Sequence, residues 1–157
     1  HRRRHSFPTR RSSDLDTKYE PGEVKVVAYD KSGKAVAEQV VRTAGRPHHL
    51  ELIADRTSIT ADGKDIAFVT VRVVDKDGNL IPDDARLLQF KVTGAGSFRA
   101  AASGNPASLD AFHLPQHHAF SGQLVALVQS DEKAGEAILS VSAKGLPTAK
   151  IRIQVTK

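Results

Sequence analysis

The chain has 157 residues, a formal net charge of +5, and no cysteine, methionine or tryptophan. The lack of cysteine excludes disulfide scaffolds, thiolate catalysis and Cys-ligated zinc, and no apolar run approaches the ~20 residues a membrane-spanning helix needs. The length suits one domain plus a remnant, because domains usually run about 100–150 residues.

The basic charge sits at one end. Residues 1–15 hold five arginines against one aspartate, a balance of +4 that leaves +1 to the other 142 residues. A basic domain would point to nucleic acid or an anionic membrane surface. Confined to a tail, the charge gives no such indication, and no nucleic-acid partner is expected. His5–Leu15, HSFPTRRSSDL, resembles the in-frame translation of a common sequencing-library adapter. On that reading residues 1–15 are an artefact, expected to be disordered and set aside from fold reasoning. With no methionine, the chain is expected to be a processed piece or a fragment of a longer protein.

From Asp16 onward the apolar residues alternate and are often β-branched, the signature of strands. Residues 23–29, EVKVVAY, predict a strand. Asp30–Gly33 supplies turn chemistry, and residues 35–43 return as its partner, making a β-hairpin. A lone hairpin is marginal in water, so residues 16–46 are expected to be the C-terminal hairpin of a preceding domain. Ala44-Gly45-Arg46-Pro47 punctuates the joint, and the main domain is expected over 47–157.

Within that domain residues 49–54 predict a strand, then 66–74 after the Ala61–Lys64 turn. Ala67, Val69, Val71 and Val73 share the face expected to be buried; Phe68, Thr70, Arg72 and Val74 share the other. Asp75–Asn79 turns the chain. Strands follow at 87–93 and 97–102, then a long loop over 103–118. Further strands are expected at 119–128, 136–143 and 148–155, with turns at 130–135 and 144–147. About seven strands with no helix predict an all-β immunoglobulin-like sandwich. Without Cys or Trp, its core must rest on Val, Ile, Leu, Phe and Ala.

The stretch 49–80, HLELIADRTSITADGKDIAFVTVRVVDKDGNL, resembles the bacterial invasin-type Ig-like domain, most tellingly in ADGKDIAFVTVRVVDKDGN. More narrowly, it resembles the last Ig-like domain of bacterial family 2 glycoside hydrolases of the β-galactosidase type. Tyr19–Gly45 is similar to the end of the Ig-like domain that precedes the last one in those enzymes. Gly104–Ser108 is similar to a loop of the family, and Ala119–Leu124 to the start of its next strand. Ser103-Gly104-Asn105-Pro106 departs from the family's Asn-Gly-Asp-Pro pattern, so no ligand role is carried over to it. The resemblance implies a parent enzyme that cleaves terminal β-galactosides or related β-glycosides, with its two catalytic glutamates in an upstream barrel; the invasin-type likeness taken alone implies the alternative, a tandem Ig-like module of a bacterial adhesin, which Tyr19–Gly45 disfavours. The hydrolase likeness also implies a periplasmic or extracellular bacterial location and intramolecular packing on the catalytic domains. No residue of this chain matches the catalytic motifs, so no catalytic residue is assigned.

The candidate chemistry is sparse. Retaining glycosidases need two carboxyl groups about 5–5.5 Å apart; Glu20, Glu23, Glu38, Glu51, Glu132 and Glu136 fall in or beside turns and on solvent faces of strands. Asp75-Lys76-Asp77-Gly78-Asn79 begins like a calcium loop, but its twelfth position is Arg86 where an EF-hand needs Glu. The expected reading is a hairpin turn, with Asp83 and Asp84 available to an irregular site. His48-His49 and His117-His118 are neighbours that a strand would point to opposite faces, and with His113 they are expected to be surface loop histidines. No metal or cofactor is assigned. Phe68, Phe90, Phe98 and Phe120 lie in strands and are expected in the core. That leaves Phe112, in the long loop, as the candidate platform for a sugar ring.

Overall fold

Alternating strands carry the chain throughout the computed structural model, which describes Lys18 and residues 20–157. The adapter-like tract 5–15 lies outside the described residues. The described residues divide into two compact units, one ending at Arg42 and the other running from Thr43 to Lys157.

The first unit is an antiparallel hairpin of β1 (Glu23–Tyr29) and β2 (Ala35–Arg42). Asp30 builds its turn: Oδ1 accepts the backbone N–H of Ser32 at 2.8 Å and of Lys34 at 3.0 Å. The two faces of the hairpin differ. One carries the ion pairs Glu23–Arg42 and Lys25–Glu38, each at 2.8 Å. The other carries Val24, Val26 and Val41, which are 50%, 48% and 63% exposed. Thr43 falls outside the strand.

The second unit contains β3 (His49–Ala54), β4 (Ser58–Thr60), β5 (Ile66–Val74), β6 (Leu87–Gly94), β7 (Gly96–Ala102), β8 (Gln116–His118), β9 (Gln123–Ser130), β10 (Gly135–Ala143) and β11 (Leu146–Thr156). They form a five-stranded sheet, β4-β11-β10-β6-β8, and a four-stranded sheet, β3-β5-β9-β7. Only β4 pairs in parallel, alongside β11. The all-β sandwich expected from the sequence is therefore present, with two three-residue strands, β4 and β8, beyond those predicted.

The core lies between the sheets because a period of two sends every second side chain inward. Ala67, Val69, Val71 and Val73 of β5 are fully buried. They meet Leu124, Ala126 and Val128 of β9, and Leu88, Phe90, Leu139, Val141, Ile153 and Val155 of the opposite sheet. Phe90 stacks on Phe98 with centroids 5.3 Å apart. Burying a side chain such as Leu139 contributes about 1.5–3 kcal/mol.

Several expectations need correction. Residues 119–128 are not one strand: Ser121 and Gly122 have φ of 51° and 76°, and Phe120 and Gln123 bridge across them. Two central residues with positive φ make a tight hairpin turn whose twist suits the flanking strands. Leu146 and Pro147 belong to β11 rather than to a turn, since the reversal is completed at Lys144-Gly145. Val74 shares the outward parity of Phe68 but is fully buried, because the chain folds back there and Leu80 bridges to it. Phe68 and Phe120 are not in the core: they are 45% and 42% exposed. Phe68 lies on the outer parity of β5, and Phe120 flanks the turn.

Candidate functional site

The predicted loop 103–118 ends in a small polar cluster under an aromatic ring. Asn105 organises its start, with Oδ1 accepting the Ala107 N–H at 3.0 Å. Farther on, one carboxylate oxygen of Asp110 accepts the backbone N–H of His118 at 2.8 Å and contacts its ring Nδ1 at 2.9 Å. These bonds, the backbone one foremost, outweigh partial desolvation and hold the Asp110 carboxyl below its ordinary range. The arrangement ties the loop to β8.

His117, expected on the surface, is fully buried. Its Nδ1 lies 2.9 Å from the carbonyl oxygen of His118. A carbonyl only accepts, so Nδ1 carries the hydrogen, and in the neutral ring Nε2 is then an acceptor. That Nε2 is buried with no hydrogen-bond partner. The ring of Phe112 stacks on His117, with centroids 6.1 Å apart and planes 9° from parallel. The Phe112 carbonyl accepts the Ala101 N–H at 2.8 Å. Phe112 is thus anchored to β7 and β8 while remaining 61% exposed. The sequence did contain a signal for His117: buried Ala119 lies two residues on, in phase with it.

The calcium-like segment is a turn closed by its own donors. Asp75 is buried. Its carboxylate accepts N–H groups from Gly45 at 2.8 Å, Asp77 at 2.9 Å and Asn79 at 2.8 Å, as well as the Asn79 amide. These bonds, that from Gly45 foremost, hold the carboxyl far below the usual range. Burial pushes Asp84 up, but hydrogen bonds and charge from Arg86 outweigh it, leaving the carboxyl below its ordinary value. Arg86 donates to both Asp84 oxygens, at 2.6–2.9 Å. Asp83 is exposed. Among the described residues no group of three or more His, Asp or Glu side chains is placed to hold a metal ion. His48 and His49 contact each other, Nδ1 to Nδ1 at 3.1 Å.

The glutamates are spread through the fold. Glu23, Glu38 and Glu51 face Arg42, Lys25 and Arg72 at 2.7–2.8 Å. Glu136 lies 3.8 Å from Arg152. Glu20 and Glu132 are exposed, with Glu132 against Gly63. Asp62 and Asp65 lie close enough for Asp62 to push Asp65 up, yet backbone N–H groups hold both carboxyls low. Among the described residues, each aspartate whose acidity is displaced is displaced downward, toward the ionised form. None of them is set up as a proton donor near neutral pH. No helix among the described residues is long and apolar enough to cross a membrane.

Comparison with known proteins places this geometry in context. Residues 50–152 match the family described as glycoside hydrolase family 2 C-terminal domain 5. The β-galactosidase BoGH2A of Bacteroides ovatus is 45% identical over 136 residues, covering 87% of this chain and 16% of that protein. A solved glycosyl hydrolase family 2 member from Bacteroides cellulosilyticus superposes with a TM-score of 0.84 at 30% identity, over 90% of this chain and 18% of that one. The D00-D0 domain of intimin, at 16% identity and a TM-score of 0.52, covers 88% of this chain and 66% of that one, and shares the fold. The chain thus spans about a sixth of the enzymes it matches.

Proposed function

The chain belongs to the glycoside hydrolase family 2 C-terminal domain 5 family, and from that membership we propose that it is a non-catalytic accessory domain of a larger bacterial β-galactosidase-type enzyme. The observation that carries this reading is that the chain matches a C-terminal-domain family and spans about a sixth of the enzymes it resembles; the state of its carboxylates agrees with it. A retaining glycosidase needs one carboxyl raised in pKa to act as acid beside a second that acts as nucleophile. Here every displaced aspartate is shifted the opposite way, and three of the glutamates sit against cations.

The parent hydrolyses O-glycosidic bonds with residues outside this chain, and the sandwich packs against its catalytic domains. The hairpin within 16–46 closes a preceding Ig-like domain. The exposed valine face of Val24, Val26 and Val41 supports that assignment, because it is the face a sheet would cover. We place the parent in the periplasm or outside the bacterial cell, a reading that rests on the family resemblance. Assay of the purified chain with a chromogenic β-galactoside tests the proposal. Hydrolysis at the buffer rate is expected, and turnover above it would overturn the reading.

A second reading is sugar contact at Phe112. It is supported by a ring held in place against His117 and still largely exposed.

A further inference from the structure

We propose that the outer face of the five-stranded sheet holds a binding site for an acidic saccharide, a uronic-acid oligomer, built from Lys91, Lys150 and Arg152 around Ser140, Thr93 and Ile138. These six residues line one depression of about 540 Å³. Strand register explains why they meet. Ser140 of β10 stands opposite Lys91 of β6 on one side and Lys150 of β11 on the other; Ile138 stands opposite Thr93 and Arg152 in the same way. The result is a grid of two rows across three strands. Neighbouring strands lie about 4.8 Å apart, so the two lysines flank the Ser140 hydroxyl from roughly 10 Å apart.

The charge in this grid is not balanced internally. Residues 16–157 carry only +1 net, yet three cations are gathered on one patch. Among the described residues no carboxylate lies within 4 Å of either lysine, and Arg152 has only Glu136 at 3.8 Å. Lys150 and Arg152 share a face two residues apart on one strand, where like charges repel. On the outer face of the other sheet Arg72 is held closer to its partner, Glu51 at 2.7 Å, than Arg152 is to Glu136. An anion seated among Lys91, Lys150 and Arg152 would relieve that repulsion.

The other members of the grid favour a sugar over a protein or nucleic acid. The Ser140 and Thr93 hydroxyls can both donate and accept, as sugar hydroxyls require. Ile138 offers a single aliphatic surface for a ring's C–H face. Arg152 supplies the planar fork that matches a carboxylate. A protein interface needs roughly 800 Å² per partner, with a core depleted in lysine. This patch is smaller, and two of its six residues are lysine. A nucleic-acid strand would call for aromatic stacking platforms, and the grid has none.

The inference rests on a saccharide-processing parent, but its test does not measure hydrolysis, so the two can fail separately. The full chain is titrated calorimetrically with an oligogalacturonate, an uncharged galactan oligomer and a single-stranded oligodeoxynucleotide. The same titrations are run on Lys91→Ser/Lys150→Ser and on Arg152→Gln, whose outward side chains leave the core untouched; unchanged melting temperatures verify that. The arginines of residues 1–15 are common to all these proteins and cancel in the comparison. The expected result is oligogalacturonate binding that weakens roughly tenfold or more in the double variant, weakens also in Arg152→Gln, and has no counterpart with galactan. No binding to the wild type, equal affinity in the double variant, or oligodeoxynucleotide binding that is equally tight and equally weakened in the double variant would each overturn the proposal.

Discussion

The backbone N–H of Gly45 donates to Oδ2 of Asp75 at 2.8 Å across a separation of 30 residues. That bond fastens the segment leading into β3 to the turn after β5. It also leaves Asp75 as a carboxylate saturated with donors, and four further donated bonds complete its shell.

Acid stability should depend on this residue. The Asp75 carboxyl lies far below its unfolded value of about 3.9. Its stabilisation is therefore complete above that value and is lost as pH falls through the folded one. Asp30, Asp62, Asp65, Asp84 and Asp110 are shifted in the same direction. Urea unfolding of the wild type should show a midpoint that drops below about pH 4. Asp75→Asn should be less stable at pH 7 and lose less on acidification. Parallel pH profiles for the two proteins would contradict this.

The sandwich core should behave as one unit. Leu139 of β10 has no exposed surface, and Leu139→Ala should cost about 2–5 kcal/mol in urea denaturation. Thr148→Ala, at an exposed position of β11, should change stability by less than about 0.5 kcal/mol.

Two glycines separate backbone conformation from close approach. Gly78 has a φ of +82° and open space where a side chain would go; Gly122 has a φ of +76° and the Ile81 carbonyl in that place. Gly78→Ala should cost about 1–2 kcal/mol for the left-handed conformation alone. Gly122→Ala should cost clearly more, because Ile81 must also move. Equal losses in thermal or urea melts would argue against the close approach.

The second unit should fold by itself, because its core cluster is complete within it. Every residue of the core cluster, from Ala44 to Val155, lies after Arg42. A protein of residues 43–157 should melt in one cooperative transition, and a broad non-cooperative melt would contradict this. A peptide of residues 20–43 should show no stable strand structure by circular dichroism, since an isolated two-stranded hairpin is marginal.

Phe112 tests the second reading of function. Phe112→Ala removes the ring stacked on His117 and should lower stability by about 0.5–1.5 kcal/mol, the range for aromatic pairs. If the exposed face of the ring holds a sugar, wild-type binding on a glycan array should disappear in this variant. A signal unchanged by the substitution would exclude Phe112 as the platform.

The sequence alone established the all-β class and, for β5, which side chains face inward. Alternation in residues 66–74 places Ala67, Val69, Val71 and Val73 inward, and a sheet buried on one face gives that period a single outcome. Family likeness was legible for a similar reason, because turn and core residues recur in a fixed order along the chain. Tertiary structure decided the rest. The Ser121-Gly122 reversal interrupts what reads as one apolar strand. Strands β4 and β8 are too short to carry a period and exist only because β11 and β6 are there to pair with them. His117 became a core residue, and Val74 was covered by the returning chain. The basic grid has no local signature either: Lys91, Ser140 and Lys150 come from three strands, and only the register of β6, β10 and β11 sets them side by side.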